Sequence, residues 1–280
     1  MKIILIVLAV LALSLLAAQL VRSNQFSGKI ADLGGRLLTI QVGTTSPDLT
    51  LVPVVVREFA TRNGGNVGGP AAVTMVQDAE MRLAVDQPFF RLDASQLSGT
   101  RQPAFVWQAA GAIAPIVPLR ILDFYVDSLG ELEVRIAGSV PIATATGPET
   151  AKGEAMRYLA ELPWNPDAIL NAAGLTWRQV DSVTVEVSML TSGGPATVLL
   201  HFDASGDITE IEAADRPRAG DTPARWLGRF SDYAQLGAYR FPRYGEVAWD
   251  LPEGEFVYWR GAILSVTPQG GFHETLHWLR

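Results

Sequence analysis

Between Lys2 and Arg22 the chain carries no charge, and residues 3–21 are almost wholly aliphatic. As a helix rising about 1.5 Å per residue, this run is about 28 Å long, close to the thickness of a bilayer's hydrocarbon core. A core helix of a soluble domain rarely has such a run at its N-terminus, so a membrane helix is expected. A cleaved signal peptide is the alternative, but its best site, Leu16-Ala17-Ala18, has Leu where a small residue is wanted. The segment therefore predicts an uncleaved signal anchor. Residues 1–22 would contact the lipid bilayer, the N-terminus would be cytoplasmic and the bulk of the chain extracytoplasmic. Lys2 on one side and Arg22, Lys29 and Arg36 on the other leave the positive-inside rule undecided.

The net charge of −7 becomes −9 once the two positive residues Lys2 and Arg22 are set aside. With no basic stripe, nucleic acid is not an expected partner. The chain has no cysteine, which removes disulfides and thiolate metal sites. No cofactor is implied.

Beyond the anchor, residues 23–49 read as a juxtamembrane linker punctuated by Ser, Gly and Pro, with one apolar patch at 37–42. Residues 50–280 read as one β-rich domain. A short helix is expected over 53–62, with Pro53 in its first turn, and the Gly-rich run 64–69 as a flexible connector. Leu132, Val134 and Ile136 alternate with Glu131, Glu133 and Arg135, and Val183, Val185, Val187 and Met189 with polar residues, the period of half-buried strands. Three turns, 127–130, 203–206 and 250–254, begin with Asp and end with Gly, as antiparallel hairpins do. Between the strands lies a helical hairpin at 148–174. Its first helix carries Ala155, Met156, Leu159 and Leu162 on one face and Glu154, Arg157 and Glu161 on the other. The second starts at Asn165-Pro166, a cap followed by Pro at the first helical position. The expected class is α+β: a mainly antiparallel curved sheet, or open half-barrel, with an inserted helical hairpin and a preceding transmembrane helix.

Some strands are apolar on both faces, notably 256–266 and 104–117. Such a sheet must be covered on both sides or bend around an apolar interior. Either a filled core or a cavity for a lipophilic ligand satisfies this. For the cavity, the candidate lining is Trp107, Met156, Leu159, Trp164, Trp249, Tyr258 and Trp259, with Arg157 and Glu161 as the polar cluster. The bland alternative for Arg157 and Glu161 is a surface ion pair.

His273-Glu274-Thr275-Leu276-His277 matches the zinc motif H-E-x-x-H, which requires a helix. Its surroundings alternate like a strand after the turn 268–271. On a strand the two imidazoles would be about 13 Å apart and could not share an ion. A metal site is not expected, and no G-x-S-x-G elbow supplies a nucleophile.

The strings PFFRLDASQ, AFVWQA, DFYVDSLGELEVRI, GPETAKGEAMRYLAELPWNPDAIL, FDASGDI and DYAQLGAYRFPRYGEVAWDLPEGEFVYWRGAI occur in this order. In them the chain resembles, over roughly residues 50–267, an uncharacterised bacterial family: a domain of unknown function whose members often follow an N-terminal apolar segment. The resemblance rests on Arg157, Tyr158, Leu159, Ala160, Glu161, Trp164 and Pro166 and on 245–249 and 258–261, and it implies no activity. The order of elements is also similar to that of bacterial lipoprotein carriers, open half-barrels with helices on the concave side. This is a likeness of architecture, and fold does not dictate function.

The leading expectation is a membrane-anchored, non-catalytic domain that binds a lipid, an acyl chain or another apolar ligand in a groove. The alternatives are a structural domain docking onto a membrane complex, and a hydrolase using zinc or paired carboxylates.

Overall fold

The computed structural model describes residues 2–43, 47–114, 116–218 and 220–270. The zinc-like string at 273–277 lies outside them.

Thirteen strands form one antiparallel sheet: β1 (Ala72–Met81), β2 (Phe90–Gly99), β3 (Phe105–Ala114), β4 (Val117–Val126), β5 (Leu129–Ile136), β6 (Val140–Thr146), β7 (Thr176–Gln179), β8 (Thr184–Thr191), β9 (Gly194–Phe202), β10 (Ile208–Arg218), β11 (Asp221–Leu236), β12 (Tyr239–Leu251) and β13 (Gly254–Gln269). Their order across the sheet is β6-β5-β4-β3-β2-β1-β13-β12-β11-β10-β9-β8-β7. Consecutive strands pair as hairpins except β6 and β7, and β1 joins β13 in mid-sheet. The two edges, β6 and β7, are consecutive in sequence. The chain must therefore cross the whole sheet between them, and it does so through α3 (Pro148–Ala160) and α4 (Pro166–Asn171). Helix α3 packs on β4, β5 and β6 from one edge and on β8, β9 and β10 from the other. So wide a sheet twists and curls, and the result is an open half-barrel with helices on its concave side.

Local sequence explains the helix ends. Pro53 caps α2 (Val54–Arg62) and Asn63 closes it. Pro148 and Pro166 occupy first helical positions, and the Asn165 side chain accepts from the Ala168 N–H at 3.2 Å. Gly130 is required by packing: a Cβ there would lie 2.6 Å from the Cα of Ala151 on α3. It does not close its hairpin. That turn is made by Asp127 and Ser128, both at positive φ.

The first correction concerns 23–49. Residues 23–40 are not a linker but the second half of α1 (Lys2–Ile40), one unbroken 39-residue helix. Phe26, Ile30, Leu33, Leu37 and Leu38 bury against Leu97, Val106, Leu122 and Phe124 on the convex face of β2–β4. Their spacing is helical, and burying them outweighs the weak helix propensity of the Ser and Gly residues between them. This half of α1 also covers the polar face of β5. Lys29 bonds Glu131 and Glu133, and Glu133 is only 5% exposed.

The second correction concerns 64–69, which is no free connector. The Asn66 N–H donates to Asp167 at 2.8 Å, the Gly68 N–H to the Asn171 side chain at 2.7 Å, and Asn171 returns a bond to the Asn66 carbonyl. The run is thereby held on α4. The third concerns 104–117. Its first half is buried, but Ile113 and Ile116 are exposed.

Candidate functional site

Between α3 and the concave face lies a cavity of about 1410 Å³. Seven of the nine candidate residues line it: Trp107, Arg157, Glu161, Trp164, Trp249, Tyr258 and Trp259. Met156 and Leu159 do not. Both are wholly buried in the main core, because α3 turns its apolar stripe into that core and its charged stripe toward the cavity. The Arg157–Glu161 pair is likewise no surface pair: their side chains are 16% and 13% exposed.

The aromatic wall depends on a register shift. Between β12 and β13, Val247 pairs with Trp259 but Ala248 with Val257, leaving Tyr258 as an extra residue on β13. Such a bulge re-aims side chains, and both Tyr258 and Trp259 reach the cavity. Trp164 meets Phe230 edge-on at 5.1 Å and donates to the Pro242 carbonyl at 2.8 Å. Gly245 makes room for it, since a Cβ there would come within 2.6 Å of the indole.

Two arginines organise the polar part. Arg157 donates to Glu161 at 2.8 Å, to Gln96 at 3.2 Å and to Asp123, and its guanidinium lies over Phe105 and Trp107 at 4.7 and 5.1 Å. Burial works against its charge, but Glu161, Asp123 and Glu154 more than offset this and hold it firmly protonated. Arg216 lies over Trp226 at 4.3 Å and Trp249 at 5.6 Å, and donates to the Tyr258 hydroxyl at 3.2 Å and the Gly153 carbonyl at 3.3 Å. Its guanidinium stands 3.8 Å from Glu154.

Glu154 and Asp123 form a carboxyl pair on the cavity wall. Burial and the Asp123 charge push the Glu154 carboxyl well above the usual range, while Arg216 and Arg157 pull the other way. Glu154 Oε2 and Asp123 Oδ1 are both buried and accept no hydrogen bond from other groups. Burial and a neighbouring acid both disfavour the charged form of Glu154, which is why its carboxyl is held up. Chemically the site joins a large apolar wall to a small polar patch of two arginines and a carboxyl pair.

Sequence reasoning did not single out Asp123, Glu154, Arg216, Trp226 or Phe230 as site residues. A signal existed for two of them. Asp123 is a lone acid within the apolar strand stretch 121–126, and Glu154 stands one helical turn before Arg157 on the same stripe. Arg216 and Trp226 are brought in by the β10–β11 hairpin and had no local signature.

Fold and cavity together define an open β half-barrel with a helix-covered interior. The chain belongs to the family of unknown function DUF6544, whose match covers residues 42–261. No curated protein matches it in sequence. Among solved structures, it is similar to a LolA superfamily protein from Nitrosomonas europaea, with 10% identity and a TM-score of 0.41 over 79% of this chain and 96% of that one. It is also similar to a DUF1329 family protein from Desulfovibrio piger, with 9% identity and a TM-score of 0.46 over 78% and 94%. At such identity these are likenesses of fold alone.

Proposed function

We propose that this protein is a membrane-anchored, extracytoplasmic binding protein. It would hold a lipid, an acyl chain or another apolar molecule in the cavity beneath α3, with no covalent step. The observation that carries this reading is the cavity itself. Its volume of about 1410 Å³ exceeds the roughly 300–1,000 Å³ of a drug-sized pocket. Trp107, Trp164, Trp249, Tyr258 and Trp259 supply apolar wall, and Arg157, Glu161, Asp123 and Glu154 supply a place for one polar group. Each methylene buried there contributes about 0.8 kcal/mol, so a ten-carbon chain gains on the order of 8 kcal/mol before ordering costs. For the anchor, the support is the exposed apolar half of α1, long and apolar enough to cross a bilayer.

The test is mass spectrometry of what remains bound to the full chain after detergent extraction and gel filtration. Wild type should retain an apolar molecule in stoichiometric amount. Val134→Trp, which fills part of the cavity, should retain about tenfold less, a loss of about 1.4 kcal/mol, with unchanged melting. Equal retention by both proteins would refute the reading.

A further inference from the structure

Because α1 has no break, the domain has no slack with respect to the apolar segment. Contacts with the sheet begin inside that segment: the Gln19 side chain receives a bond from the Ser139 hydroxyl at 2.8 Å and donates to the Ala137 carbonyl at 3.5 Å. Gly138 sits against Ser23. If residues 3–21 cross the bilayer, as the reading above holds, Gln19 lies at the end of the span. The β5–β6 turn at 137–139 is then held at the membrane surface.

The chain around that turn is built for such a place. Residues 136–148 carry no charge, and neither do 109–119, of which the described residues 112–114 and 116–118 sit at the tip of the neighbouring β3–β4 hairpin, at the same end of the sheet. Ile116 is 89% exposed, Ile113 43%, Val140 46% and Ile142 50%. The other ends of these strands are different. There the β4–β5 turn is Asp127-Ser128, with Arg36 bonded to Asp127, and the β2–β3 turn holds Arg101 and Gln102. One end of the same strands is therefore apolar and the other polar, and the apolar end is the one from which the membrane segment emerges.

We propose that the β3–β4 and β5–β6 tips, around Ile116 and Ile142, rest in the interfacial layer of the leaflet that α1 enters. The partner of this surface is lipid. Depth is limited by β6, an edge strand whose free backbone groups need water or head groups and cannot enter the hydrocarbon core. The placement has a consequence for the cavity. Leu83 on the β1–β2 loop, at the same end of the sheet and itself 64% exposed, borders it, whereas the lining residues 143–146 of β6 pair with 131–134, farther from the tip. The edge of the cavity at Leu83 then faces the bilayer surface, and an apolar ligand can pass there between membrane and cavity.

The absence of cysteine allows single labels on the full chain. Ile116→Cys, Ile142→Cys, Val10→Cys and Ser128→Cys would each carry an environment-sensitive fluorophore in phosphatidylcholine nanodiscs, with and without spin-labelled lipid. The expected result is that labels at 10, 116 and 142 lose most of their fluorescence to the spin-labelled lipid, while the label at 128 keeps it. Quenching at 10 with 116 and 142 behaving like 128 overturns this proposal and leaves the anchor standing. No quenching at 10 overturns the anchor and this proposal with it. Blue-shifted but unquenched labels at 116 and 142 would mean that protein covers the surface, which also overturns it.

Discussion

Both faces of the sheet carry a helix over apolar residues, yet one of these layers is filled and the other partly hollow. On the convex side the second half of α1 packs along β2–β4, and Phe26, Leu37, Leu97 and Leu122 are buried together. On the concave side α3 leaves a cavity. Curvature accounts for the difference. Thirteen strands about 4.8 Å apart make an arc of about 58 Å, and the helices packed inside it, each about 10 Å across, leave part of its interior open. Charge follows the same division. Under α1, Glu133 is surrounded by cations, whereas on the cavity wall Glu154 faces another acid.

The sharpest way to break this comparison is to truncate one side chain on each face. Phe26→Ala should cost about 3–5 kcal/mol, because it opens a hole in a filled layer. Leu132→Ala should cost less than about 2 kcal/mol, since Leu132 already borders empty space. Thermal and denaturant unfolding would measure both. Similar losses would mean that the concave side is as tightly packed as the convex one.

Next in size comes pH. Glu154 is held up by burial and by Asp123, so its contribution is complete below the ordinary carboxylate pKa and is lost as pH rises through its raised folded value. For Glu133, burial pushes the carboxyl up, but the hydrogen bonds and charges of Lys29 and Arg135 outweigh it and leave it depressed. Its contribution is present above the ordinary pKa and is lost as pH falls through the lowered value. Stability profiles of Glu154→Gln and Glu133→Gln should therefore flatten at opposite ends, the first on the alkaline side and the second on the acid side. Flattening at the same end would contradict the assignment.

The smallest effect belongs to the far end of α1. Arg36 and Asp127 form a pair with side chains 42% and 36% exposed. Arg36→Ala should cost below about 1 kcal/mol and shrink further in salt. A larger loss would show that this contact helps to hold the helix on the sheet.

Particular residues show how much of this was legible beforehand. Alternation at 132–136 and 183–189 placed strands correctly, and Pro53, Pro148 and Asn165-Pro166 placed helix starts, because turn and cap chemistry is local. Trp107, Trp249, Tyr258 and Trp259 come together as lining from apolar strands, and Trp164 joins them from the turn between α3 and α4. Ser23, Ser27 and Gly28 misled the reading of α1, since the packing that keeps them helical comes from strands about a hundred residues later. Met156 and Leu159 misled it for a related reason: both stripes of α3 are buried, and local pattern cannot tell which one faces empty space.

Sequence alone determined the apolar segment, the period of the strands and the chemistry of the turns, all properties of neighbouring residues. Tertiary structure alone decided that β1 and β13 meet, that α3 therefore crosses the concave face with its charges inward, and that α1 runs from the apolar segment onto the sheet without a joint. Those outcomes depend on burying surface between distant parts of the chain, and no short stretch of residues records which surfaces will meet.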